Sequence, residues 1–186
     1  APPGSKPLMI LGQDESVFTQ FLLGQKTWVG PKGERPLFPK TEGEGYMLSA
    51  FVSRDMGFGI PLTKKELDTI NAARQGTQYL DKKAALEINN KLDKPDLTES
   101  PFVKYLHIGI HNEGYWTGFH MALQLEDVVD CLNVLCPDFD YLFLFDHSQG
   151  HARKRDGALD ANKMSKNFGG SQPIMRDAKI KAAKGY

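Results

Sequence analysis

This sequence is poor in thiols, poor in tryptophan and without net charge. Its two cysteines, Cys131 and Cys136, cannot staple a chain of 186 residues. Their C-x4-C spacing has no second pair of ligands nearby, which argues against a structural zinc site. They read as reduced, largely buried thiols of an intracellular protein. Lys+Arg and Asp+Glu both number 23, so no global field marks a nucleic-acid partner and only a local patch could do so. One such patch exists. Beyond Ala152 the chain carries Arg153, Lys154, Arg155, Lys163, Lys166, Arg176, Lys179, Lys181 and Lys184 against only Asp156, Asp160 and Asp177. No apolar run is long enough to span a bilayer, so no membrane role is expected. The opening Ala-Pro-Pro-Gly-Ser has neither an apolar signal-peptide core nor a Met. The chain therefore reads as an excised piece of something longer.

What the sequence does contain is a series of short apolar runs. Residues 8–14, 46–53, 102–110 and 141–146 lack a helical period and each predicts a strand. In the last, Tyr141-Leu-Phe-Leu-Phe runs uninterrupted into Asp146, the pattern of a strand buried on both faces. Val17, Phe18, Phe21, Leu22 and Leu23 predict a short apolar turn lying over the sheet. Asp55 to Gly59 predicts a tight turn. Between the third and fourth strands, residues 118–135 set Met121, Leu125, Val128 or Val129, and Leu132 on one side and Glu126, Asp127 and Asp130 on the other. That is an amphipathic helix, capped by Thr117 and stopped by Pro137. A helix connecting two strands in this way makes them parallel. Residues 63–101 differ in character. Thr63-Lys-Lys-Glu66 is a capping box with Leu67 and Ile70 behind it, and Tyr79 to Leu92 predicts a second helix. The segment is polar and thin in core residues, so it predicts a small helical insertion, a solvated hairpin on the edge of the domain.

Two strands deliver an acid, in Gln13-Asp14-Glu15-Ser16 and in Phe145-Asp146-His147. Open α/β sheets carry their chemistry where strands end, and carboxylates converging from separate strands can hold hard divalent cations such as Mg²⁺. An isolated Asp at a strand end more often caps the next segment; a second one turns the reading toward a metal. Glu15, His147 and His151 are candidate accessory groups. Arg153, Lys154 and Arg155 follow Asp146 closely and could hold DNA phosphates. Trp28 and Tyr115 could stack on bases, whereas Trp116, just ahead of the helix, is placed for packing.

The order of these motifs carries a resemblance. Asp14-Glu15-Ser16, Trp28, the turn from Gly30 to Pro36 and Tyr46-Met-Leu-Ser-Ala-Phe51 resemble the first part of the catalytic domain of mariner-type DDE transposases. Gly114-Tyr-Trp-Thr117, the helix after it, Phe145-Asp146-His-Ser-x-Gly-His151 and the stretch from Met164 to Asp177 resemble a DDE-superfamily endonuclease branch of eukaryotic mobile elements. The resemblance covers most of the chain outside residues 63–101. It implies a single RNase H-like α/β domain over residues 1–186, with a mixed sheet flanked by helices and the first and fourth strands adjacent. It implies Asp14 and Asp146 as catalytic acids, Mg²⁺ or Mn²⁺ as cofactor, DNA as partner, a nuclear location, and a homo-oligomer for the full-length parent. The family's third acid comes from a later helix. Asp177 is the late acid at a comparable distance here, in a basic, turn-rich context. The chain is accordingly expected to be C-terminally incomplete and, alone, inactive or nearly so as a nuclease. The alternative is a domesticated or decayed element acting only as a DNA- or protein-binding module; a third reading is a ribonuclease relative acting on RNA–DNA hybrids.

Overall fold

Alternation of apolar and polar side chains sets the sheet. In the computed structural model, which describes residues 4–21, 30–33 and 42–146, the strands are β1 (Leu8–Thr19), β2 (Gly45–Ser53), β3 (Gly57–Phe58), β4 (Val103–Ile108) and β5 (Asp140–Phe145). The helices are α1 (Lys64–Arg74), α2 (Lys82–Asn89) and α3 (Gly118–Leu135). β1 pairs antiparallel with β2 and parallel with β5, while β2 takes β4 and the short β3 antiparallel. The long strands therefore stand in the order β4-β2-β1-β5, with β1, β4 and β5 pointing one way and β2 the other. The sheet is mixed and flanked by helices, as expected, and β4 and β5 are indeed codirectional.

β1 is longer than the apolar run alone implied. It continues past Asp14 through Val17 and Phe18, pairing with β2 as far as Thr19↔Gly45. The backbone pairing persists there, so Val17 and Phe18 are strand residues rather than a turn over the sheet. The β2–β3 hairpin turns through residues 54–56 and re-enters the sheet at Gly57, with φ of +75°. At Gly59, φ of +66° and a Val103 methyl 2.6 Å from any Cβ leave room for glycine only.

The inner face of the sheet is the core. Met9 and Leu11 of β1, Met47 and Phe51 of β2 and Leu106 of β4 are buried on it, and Met121, Val128, Cys131 and Leu132 of α3 are buried with them. A large apolar side chain fully removed from water contributes about 1.5–3 kcal/mol, so this seam is the main stabiliser. Tyr141 closes its far end: its hydroxyl donates to the carbonyls of Leu132 and Cys136 at the end of α3. The outer face is different. Leu8, Ile10, Phe18, Tyr46, Tyr105 and Leu144 are exposed on it, and no described residue covers them.

The insertion departs from the solvated hairpin expected of it. Both helices form, and the Thr63 capping box is present, with Thr63 N donating to Glu66 Oε2 at 2.7 Å. Yet Ile70, Tyr79, Ala84, Ala85 and Leu97 are buried. The insertion packs on the acidic side of α3. Glu126 accepts from the backbone N–H groups of Leu80 and Asp81 at 2.8 and 2.9 Å. Asp127 and Asp130 receive Arg74 at 2.8 and 3.1 Å, and Lys94 reaches Asp130 at 2.8 Å. The polar stripe of α3 is thus a second docking face rather than a solvated one.

Candidate metal centre

The pairing of β1 with β5 runs in register from Leu8↔Asp140 to Gln13↔Phe145. The next residue on each strand is an aspartate, Asp14 on β1 and Asp146 just past β5. Neighbouring strands lie about 4.7–4.9 Å apart, so the two acids leave the last rung side by side. Both are exposed. Asp14 sits within β1, not at its end, and its Oδ1 accepts from the backbone N–H of Glu15 at 2.9 Å. Alternation sends Glu15 toward α3, where its Oε1 accepts from Trp116 Nε1 at 3.2 Å. Asp14 and Glu15 thus belong to opposite faces of the sheet. Trp116 has the packing role expected of it, stacked on His120 with centroids 5.2 Å apart. His147, His151, Arg153, Lys154, Arg155, Asp177 and Trp28 lie outside the described residues. Among the described residues, no three His, Cys, Asp or Glu side chains are grouped to hold a metal ion; Asp14 and Asp146 are a pair.

No family model, curated protein or solved structure matches this chain.

Behind the pair lies a buried polar chain that pattern reading did not single out. Gln13 Nε2 donates to Ser49 Oγ at 3.0 Å, and Ser49 Oγ donates to Gln124 Oε1 at 2.6 Å. All three residues are buried. The sequence did hold a signal for it: Gln13 occupies the inward phase of Met9 and Leu11, where an apolar residue is the default.

A second buried cluster joins the insertion to α3. Burial pushes the Asp127 carboxyl above its ordinary range, against the pull of the Arg74 charge and the Tyr79 hydroxyl. Burial also raises the Tyr79 phenol, reinforced by Asp127, to which it donates at 3.0 Å. A cleft of about 270 Å³ opens beside this cluster, lined in part by Leu97, Lys104, Trp116, His120 and Asp127. Burial lifts the Cys131 thiol to about 12, so at neutral pH it stands protonated.

Proposed function

We propose that this chain is a DDE-type catalytic domain that cleaves or transfers DNA strands, with Asp14 and Asp146 holding Mg²⁺ or Mn²⁺. The observation that carries the reading is the rung Gln13↔Phe145, because it sets two acids from opposite ends of the described chain on neighbouring strands. The strand order gives further support. An RNase H-like domain asks for its first and fourth strands to be adjacent, and here β1 and β5, the first and fourth long strands, pair in parallel.

The residues suit the ion. Two exposed carboxylates are hard oxygen donors of the kind Mg²⁺ prefers. They form part of a ligand set that a later acid, supplied by a longer parent chain, would complete. A bound divalent ion would activate the attacking oxygen and stabilise the leaving one in phosphoryl transfer. The chain's own contribution is to hold the two carboxylates on a rigid sheet, on an open surface that a duplex can reach. Arg153, Lys154 and Arg155 would hold the phosphate backbone electrostatically.

Calorimetric titration with Mn²⁺ tests the reading. The parent chain binds, and Asp14→Asn and Asp146→Asn each bind more weakly. Equal binding by all three removes the shared site and leaves the binding-module reading. Strand cleavage is expected of a longer parent carrying a later acid, and Asp14→Asn abolishes it there.

A further inference from the structure

We infer that Gln13, Ser49, Gln124 and Trp116 form a positioning frame for Asp14, gripping its strand from the face opposite the carboxylate. This rests on the reading that Asp14 binds metal. The inward face of β1 runs Met9, Leu11, Gln13, Glu15, so it turns from apolar to polar on either side of Asp14. Stability alone would not choose this. Gln13 lies only 4 % exposed, in register with Phe51 on one side and Phe145 on the other, where a leucine would continue the core.

The hydrogen-bond chain has a single polarity. Gln124 Nε2 donates to the carbonyls of Pro101 at 3.0 Å and Ser49 at 3.3 Å. Its Oε1 is therefore the acceptor for the Ser49 hydroxyl, and Ser49 Oγ must accept from Gln13 Nε2. No amide can flip without breaking the series. Gln13 Oε1 meets no donor among the described residues. On the other flank, Trp116 donates to Glu15 and rests on His120. His120 is itself locked, since its Nδ1 accepts from Thr117 N at 3.2 Å at the start of α3.

Both inward neighbours of Asp14 are thus tied to α3 or to its N-terminal approach. In a strand, pinning the residues before and after a position fixes the direction of its own Cα–Cβ bond. Here that bond belongs to Asp14, one residue past the last rung of the β1–β5 pairing, as Asp146 is on the other strand. Binding constellations need their groups held to about 0.5 Å by supporting side chains.

Ser49→Ala cuts the chain in the middle, and Ser49→Thr keeps the hydroxyl. Each is titrated with Mn²⁺ and unfolded in urea beside the parent. Ser49→Ala is expected to bind Mn²⁺ about 10-fold more weakly, the lower end of what outer-shell changes cost, and Ser49→Thr to restore it. A Ser49→Ala protein that is less stable but binds Mn²⁺ as the parent does overturns the frame. If Ser49→Ala does not fold, Trp116→Phe decides: it keeps the ring and loses only the indole N–H. Weaker Mn²⁺ binding supports the frame and unchanged binding overturns it. A parent that binds no Mn²⁺ fells the metal reading and the frame together. A parent that binds, fails with Asp14→Asn and holds its affinity in the frame variants fells the frame alone.

Discussion

His120 occupies the third residue of α3, where a capping box usually has Glu or Gln. Its Nδ1 accepts from the Thr117 N–H, which requires the unprotonated nitrogen. Burial lowers its pKa from the ordinary 6.5. The unfolded imidazole therefore takes a proton at a higher pH than the folded one. Its contribution to stability is complete above about pH 6.5 and is lost as the pH falls through the lower, folded value. Urea unfolding from about pH 7.5 to about pH 5.5 should show the parent losing stability more steeply than His120→Gln, which keeps the acceptor and cannot titrate. Parallel curves would mean that His120 does not titrate with folding.

At the scale of elements, α3 is buried from two sides. Its apolar stripe meets the sheet, and its acids meet the insertion. Arg74 is the centre of the second contact. Its side chain is 3 % exposed and lies against Asp127 and Asp130, and one guanidinium nitrogen also donates to the Pro95 carbonyl at 3.2 Å. Burial opposes its charge, but the Asp127 and Asp130 carboxylates outweigh that and hold it above its ordinary pKa. Removing one partner of a buried ion pair strands the other and costs about 3–5 kcal/mol. Arg74→Met should lower the unfolding free energy by that amount in urea. A loss below about 1 kcal/mol would class the group with surface pairs.

For the whole molecule, the question is whether the insertion is an ornament or part of the core. Its ends meet, since the Ser100 hydroxyl donates to the Ile60 carbonyl, so residues 61–99 can be replaced by a short Gly-Ser linker. That deletion removes Ile70, Tyr79, Ala84, Ala85 and Leu97 and uncovers Leu123 and Asp127 on α3. The shortened protein should lose its cooperative urea transition and its near-ultraviolet dichroism, as a loosely packed state does. A sharp transition of unchanged midpoint would restore the solvated-hairpin view.

Local pattern alone determined the strands around Leu8, Tyr46, Phe102 and Tyr141, the span of α3, and the Thr63 and Thr117 caps. Each depends on groups a few residues apart, so a short window holds the whole interaction. It also brought Asp14 and Asp146 forward, as acids following apolar runs. It could not set them side by side, because strand neighbours are chosen by register between segments far apart in the chain. Tertiary structure alone decided that adjacency, with β1 at the centre and the pairing carried one rung short of both acids. It decided the burial of Arg74 and Asp127 too, since a charge leaves water only when another element brings its counter-charge. The Gln13–Ser49–Gln124 series has the same origin. Its members come from β1, β2 and α3, and each looks like an ordinary polar residue until the fold closes around all three.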